Sequence, residues 1–153
     1  MALISWGPAL EVGVGLIDEQ HQRLIFLLNR LNDAMLAGHS KEVLHDVLEQ
    51  LVAYTQYHFN TEEQLMTLNR YPKESAHHQE HQRFIDDVRS FQQQCNAGKD
   101  QVSIDVMMFL RDWLARHILH TDKKLAEALC AGGEIILPQL ENSEPSALQP
   151  MLN

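Results

Sequence analysis

The sequence predicts an all-α fold: an antiparallel up-down-up-down four-helix bundle with an extended N-terminal arm and a C-terminal extension. Three observations predict it. Four segments of about 20 or more residues repeat their apolar positions at helical spacing. Glycines, prolines and capping residues punctuate the short links between them. Histidines and carboxylates recur in all four, at heights that an up-down bundle brings to one end.

Residues 2–17 carry Trp6, Gly7, Pro8, Gly13 and Gly15, too many breakers for a helix and too apolar for a free tail, so an arm packed on the domain is expected. Asp18 reads as the N-cap of the first helix, along which Leu24, Leu27, Leu28, Leu31 and Met35 recur up to Ala37, with Gly38 closing it. Ser40 can cap a second helix, whose stripe of Leu44, Val47, Leu48, Leu51 and Tyr54 continues through His58, Glu62 and Leu65. After a break at residues 69–71, Pro72 fits the first turn of a third helix running through His77, His81, Phe84, Val88 and Phe91 to Ala97 and Gly98. Ser103 can open the fourth, with Val106, Leu110, Trp113, His117 and Leu125 near one face and Ala131, Gly132 and Gly133 at its end. The remainder contains Pro138, Pro145 and Pro150 and no sustained period. The chain therefore divides into a domain of residues 1–133 and an extension of residues 134–153, whose apolar start at residues 135–137 can dock on the domain or on a neighbouring subunit.

Composition excludes several classes of function. With 153 residues the chain reaches a viable core without metal or disulfides, so any bound metal is expected to be functional. A net charge of −9 opposes phosphate neutralisation, which argues against nucleic acid as a partner. The N-terminus lacks a basic region ahead of Arg23, and no uncharged apolar run reaches about 18 residues. A cytoplasmic chain without membrane insertion is expected. Cys95 and Cys130 fall near opposite ends of adjacent antiparallel helices, roughly 40 Å apart at about 1.5 Å per residue, so a disulfide within the chain is disfavoured and both thiols read as inert packing residues.

The candidate chemistry lies in seven side chains. Residues i and i+4 share a helix face, so His58 with Glu62, and His77 with His81, each reach one inward point. His21 lies near the start of the first helix, and His117 with Asp122 lie late in the fourth. All seven converge at one end of the bundle. Buried without a common partner, each would cost about 1–3 kcal/mol, together more than the roughly 5–15 kcal/mol that stabilises a domain. Imidazole with carboxylate suits iron, manganese or zinc, and the absence of cysteine argues against copper(I) and structural zinc. Five histidines and two carboxylates are too many for one ion. Two ions sharing both carboxylates and a solvent-derived bridge would divide the histidines three and two, leaving an open position for a small molecule. On an ideal helix Asp122 falls about 140° from His117, so the helix must loosen locally in a π-like turn; His120, at i+3, is the geometrically easier partner.

The chain resembles the bacteriohemerythrins, single-domain members of the hemerythrin family. The matching residues are Trp6 and Gly15-Leu16-Ile17-Asp18-Glu19-Gln20-His21, His58-Phe59-Asn60-Thr61-Glu62-Glu63, His77-His78-Gln79-Glu80-His81 with Phe84, and Trp113-Leu114-Ala115-Arg116-His117-Ile118 with Asp122, in order from Trp6 to about Leu129. The resemblance implies two non-haem irons, carboxylate-bridged with an oxo or hydroxo bridge. It places His77, His81 and His117 on the six-coordinate iron, His21 and His58 on the other, and Glu62 and Asp122 between them, favouring Asp122 over His120. It implies reversible dioxygen binding for transport, storage or delivery, with no catalytic residues. Phe59, Trp113, Leu114 and Ile118 lie beside or one turn from ligands and are expected to form a dry oxygen pocket. Glu63 and Glu80 read as solvated or as partners of ligands. His39, His45, His78 and His120 read as surface residues.

Other readings explain less of the sequence. His77 to His81 fits the H-x-x-E-H zinc-protease pattern with Glu80 as base, but leaves the other five donors unused. Glu42 with His45 and Glu74 with His77 give the E-x-x-H pairs of a ferritin-like di-iron oxidase. However, His45 lies about 20 Å along the helix from His58. A third reading is an oxygen or redox sensor acting through residues 134–153, with self-association or a protein partner there.

Overall fold

The structure is a computed structural model that describes residues 2–39, 41–96, 104–139 and 144–145, with Cys95 and Asn96 described by backbone alone. The helices are α1 (Gly15–Leu36), α2 (Lys41–Leu68), α3 (Glu74–Asn96), α4 (Ile104–Arg116) and α5 (Lys123–Ala131). A π-helical stretch, His117–Asp122, joins α4 to α5 without a break, so the last three pieces form the fourth rod of a four-helix bundle. No strand occurs among the described residues.

The helix ends refine the expected boundaries. α1 begins at Gly15, so Asp18 lies inside its first turn rather than capping it. The Asp18 carboxylate instead accepts the N–H groups of Val12 at 2.7 Å and Gly13 at 3.1 Å, tying the arm to the positive end of the helix dipole. Gly13, with φ of +95°, makes that return possible. At its other end Gly38 (φ +73°) closes the helix: Gly38 N–H donates to Met35 O and His39 N–H to Ala34 O, both at 3.1 Å. α2 ends in the same motif, with Tyr71 N–H donating to Met66 O at 2.9 Å, but its left-handed position is filled by Arg70 at φ +54°. Pro72 sits in the turn ahead of α3, which starts at Glu74. The expected caps Ser40 and Ser103, and the ends at Ala97 and Gly98, lie outside the described residues.

The apolar residues form two layers. The larger joins Leu24, Leu28, Leu31, Leu48, Tyr54, Phe84 and Met107 along most of the bundle. The smaller joins Val14, Ile17, Leu65, Met66, Leu125, Ala126 and Leu129 at one end. Along α1 the order is Ile17, His21, Leu24; along the fourth rod it is Ile118, Asp122, Leu125. A polar layer is thus enclosed between two apolar ones.

Described segments from both ends of the sequence lie back on this frame. Leu3 and Ile4 N–H groups donate to Asn29 Oδ1 at 2.8 and 3.1 Å, and Asn29 Nδ2 returns a bond to Ile4 O at 2.8 Å. A short 3-10 turn, Pro8–Leu10, packs beside the π-helical stretch. In the extension, Asn69 pairs with both backbone groups of Ile136 at 2.9 Å, and Glu144 forms an ion pair with Arg23 while Tyr54 Oη donates to it at 3.5 Å. Ile135 packs on the smaller apolar layer, whereas Ile136 and Leu137 are exposed. Cys130 is a free, exposed thiol and not the packing residue expected. No described helix is long and apolar enough to cross a membrane.

Arg70 gives a direct test of the second closing motif. Relieving a left-handed conformation of a side chain that costs about 1–2 kcal/mol, less the backbone entropy of glycine, the Arg70→Gly variant should be more stable by about 0.5–1 kcal/mol in urea unfolding. A destabilised variant would contradict the assigned conformation.

Candidate metal centre

Each rod delivers its polar groups to the enclosed layer through its own periodicity. His21 projects from the first turns of α1, between Ile17 and Leu24 on the buried face. His58 and Glu62 continue the α2 stripe, and His77 and His81 occupy the start of α3. The fourth rod needs its π-helical stretch: six residues from His117 to Asp122 widen the turn so that both ends face inward, and His120 is left exposed. The loosening that the sequence requires is therefore present, and Asp122 rather than His120 faces the layer.

The seven side chains are 0–3% exposed. Their donor atoms form two groups that share both carboxylates: Glu62, His77, His81, His117 and Asp122 in one, His21, His58, Glu62 and Asp122 in the other, with the atoms of each group within 4.8 Å of one another. Asp122 divides cleanly between them. Its Oδ2 is 2.8 Å from His21 Nε2, while its Oδ1 is 2.9 Å from His117 Nε2 and 3.1 Å from His77 Nε2. Glu62 divides less cleanly, with Oε1 2.8 Å from His58 Nε2 and 3.5 Å from His81 Nε2, and Oε2 3.5 Å from His77 Nε2.

These approaches are not a satisfied hydrogen-bond network. His58 Nε2, His77 Nε2, both Glu62 oxygens and Asp122 Oδ1 are buried without a properly aligned partner. His81 Nε2 and His117 Nε2 face each other at 3.1 Å, which brings two lone pairs together when both rings carry a single proton on Nδ1. Cations in the layer would satisfy all of these atoms at once, and a set of imidazoles and carboxylates without sulfur matches iron or another borderline divalent ion. The donors present fit such a centre.

The electrostatics of the metal-free layer follow from the same packing. Burial alone would raise the Glu62 carboxyl, but His58, His117 and His77 outweigh it and hold it well below the usual range. Asp122 is likewise lowered: burial and Glu62 oppose ionisation, and His117 and His21 overcome them. Burial would lower His77, yet the close carboxylates of Asp122 and Glu62, 3.1 and 3.5 Å from its Nε2, push it up to about 9. His117 is raised well above its ordinary value by the same carboxylates against the same burial. His58 is lowered, because burial dominates the attraction of Glu62.

Outside the layer, Glu80 Oε2 accepts from His117 Nδ1 at 3.2 Å and from Thr121 Oγ1 at 2.8 Å, and its carboxyl is lowered to about 2, chiefly by the His117 bond. Glu63 pairs with the exposed His78 and lies 4.0 Å from His81 Nδ1, too far for a hydrogen bond. Aromatic rings hold two imidazoles flat: Phe59 stacks on His81 at 3.7 Å and 6°, and Trp113 stacks on His117 at 4.5 Å and 14°.

A small apolar cavity, with room for a molecule of about the size of water, abuts the layer. It is lined by His58 and His117 together with Leu24, Leu28, Leu51, Thr55, Phe59, Phe84, Leu110, Trp113 and Leu114. Of the expected pocket residues, Phe59, Trp113 and Leu114 line it; Ile118 is buried in the large apolar layer and does not. Leu24, Leu28, Leu51, Thr55, Phe84 and Leu110 were not anticipated, although Leu24 and Leu28 follow His21 on the same face at i+3 and i+7. Thr55 donates its hydroxyl proton to Leu51 O at 2.7 Å, so it offers none to the cavity.

Comparison with known proteins gives one consistent result. The model of the Hemerythrin HHE cation binding domain matches residues 12–129. The chain is 35% identical over 133 residues to a bacteriohemerythrin of Methylococcus capsulatus, covering 86% of this chain and 100% of that one. It is 35% identical over 131 residues to a bacteriohemerythrin of Stenotrophomonas maltophilia, covering 86% and 84% respectively. A crystal structure of wild-type hemerythrin superimposes with a TM-score of 0.79 at 32% identity, covering 84% of this chain and 98% of that one.

The buried charges predict how the metal-free protein responds to pH. The folded value of His77, about 9, lies above its ordinary 6.5, so its contribution to stability is complete below about pH 6.5 and is lost as pH rises through about 9. Glu80, about 2 against 4.5, contributes above about pH 4.5 and loses that contribution as pH falls toward 2. Urea midpoints of the metal-free protein should therefore decline on both flanks, and His77→Gln should remove part of the alkaline decline. An alkaline limb identical in wild type and variant would contradict the His77 assignment.

Proposed function

The chain belongs to the hemerythrin family, and we propose that it binds dioxygen reversibly as a carrier, at a non-haem di-iron centre held by the seven buried side chains. The observation that carries this reading is the pair of donor groups sharing Glu62 and Asp122. In it, His77, His81 and His117 would hold one iron, His21 and His58 the other, with Glu62 and Asp122 available to both. A ferrous pair bound there would supply the electrons for reversible binding of dioxygen.

The protein's own contribution is placement and dryness. The cavity is bordered by one imidazole of each donor group, His58 and His117, and the side with two histidines has one protein ligand fewer, so a small molecule entering there meets the less crowded position on that side. Phe59, Trp113 and Leu114 keep water from that position, and Thr55 withholds its proton. A site with no proton donor pointed at the bound molecule favours release of intact dioxygen over its further reduction. The stacked rings of Phe59 and Trp113 fix the planes of His81 and His117, so that the ligand set need not rearrange on binding. Within the extension of residues 134–153, Ile136 and Glu144 are held to the domain by Asn69 and Arg23.

Metal analysis joined to optical spectra tests the reading. Purified protein should contain two irons per chain and, after reduction, develop on exposure to air a charge-transfer band that vanishes when oxygen is removed. Asp122→Ala and Glu62→Ala should each retain fewer than two irons, and chelation should lower the melting temperature, since the layer loses the cations that offset its burial. A single zinc and no iron, or immediate irreversible oxidation, would overturn the carrier assignment.

A further inference from the structure

Gln20 is a neutral side chain, 1% exposed, that stands outside the ligand layer yet connects two helices beside it. Its Oε1 lies 2.7 Å from His58 Nδ1, and its Nε2 donates to Thr61 Oγ1 at 3.1 Å. Thr61 in turn donates to the backbone carbonyl of Tyr57 at 3.2 Å. The direction of this chain is set at its far end. A carbonyl oxygen can only accept, so the single Thr61 proton goes to Tyr57. Thr61 Oγ1 then accepts, which requires the NH2 end of Gln20 to face it and the oxygen end to face His58. His58 must therefore carry its proton on Nδ1, leaving Nε2 bare toward Glu62, 2.8 Å away.

The opposite side of the layer is built with a different acceptor. His117 Nδ1 donates to the carboxylate of Glu80, itself oriented by Thr121. An anionic acceptor draws the Nδ1 proton toward itself and makes the other ring nitrogen a stronger electron donor, whereas an uncharged amide does so less.

Building on the di-iron reading, we propose that Gln20 is a positioning residue: oriented by Thr61, it locks His58 as the Nδ1–H tautomer through an uncharged acceptor, and its contrast with Glu80 makes the two metal positions electronically unequal. Of the two, the position held by two histidines keeps the weaker donor. That choice favours the ferrous form there, and with it the return of electrons when oxygen leaves.

Charge-conserving and charge-changing variants separate this role from mere packing. In iron-loaded protein, Gln20→Leu and Thr61→Val should release iron to a chelator roughly 10- to 100-fold more readily, while Thr61→Ser behaves as wild type. Gln20→Glu, nearly isosteric, should retain iron but show a more negative midpoint potential by spectroelectrochemistry and faster loss of the oxygenated band. Nitrogen-15 NMR of histidine-labelled metal-free protein at about pH 8 should place the His58 proton on Nδ1 in wild type and distribute it over both nitrogens in Thr61→Val. If circular dichroism shows that Gln20→Leu does not fold, Thr61→Val decides the matter. Wild-type iron retention in Thr61→Val, a His58 proton on Nε2 in wild type, or an unchanged or more positive potential in Gln20→Glu would each overturn the proposal. The tautomer is read without iron or oxygen, so failure of the di-iron reading is distinguished by the metal count alone.

Discussion

Everything in this structure is arranged around the burial of seven ionisable side chains in one layer. Two carboxylates and five imidazoles, none more than 3% exposed, lie between an apolar layer anchored by Leu24, Leu28 and Phe84 and another anchored by Ile17, Leu65 and Leu125. Such a layer is costly in the metal-free chain, even though attraction between its imidazoles and carboxylates outweighs burial at Glu62, Asp122, His77 and His117. Several donor atoms remain without aligned partners, and Nε2 atoms of His81 and His117 confront each other. The fold tolerates this because the large apolar layer is extensive enough to hold the rods in register, with the site near one end of the bundle. The same arrangement keeps the layer shaped in advance for the ions that satisfy it.

Much of this was legible in the sequence because helical periodicity encodes direction. His58 with Glu62 and His77 with His81 continue apolar stripes at i, i+4, and the stripe itself says that they face inward. The heights of His21 and His117 followed from helix order and short links. The π-helical stretch could be anticipated only as a conflict, since five residues on an ideal helix point the wrong way and a loosened turn removes the discrepancy.

What remained illegible depends on contacts between rods, whose relative rotation and height periodicity leaves free by about a residue. Gln20 lies next to a ligand in sequence, but that it meets His58 and Thr61 requires the packing of α1 on α2. Thr55, one turn before His58, gives no sign in sequence that it borders a cavity. Asp18 looked like a cap because its type and position suit one; its bonds to Val12 and Gly13 instead let the helix begin earlier. Glu144 could not have been matched with Arg23 and Tyr54 from spacing alone.

The π-helical stretch has a reach beyond the ligands it carries. A π turn is an α-helix with one residue too many, and everything after it is rotated by about 100° relative to an uninterrupted helix. The buried residues after Ile118 are Asp122, Leu125, Ala126 and Leu129; an unbroken α period would have presented Thr121, Lys124, Leu125 and Ala128. One local conformation therefore sets both the inward carboxylate of Asp122 and the hydrophobic closure of that end of the bundle. Straightening these six residues into an α turn without removing one would turn that carboxylate and the apolar residues beyond it away together, so both depend on a single local conformation.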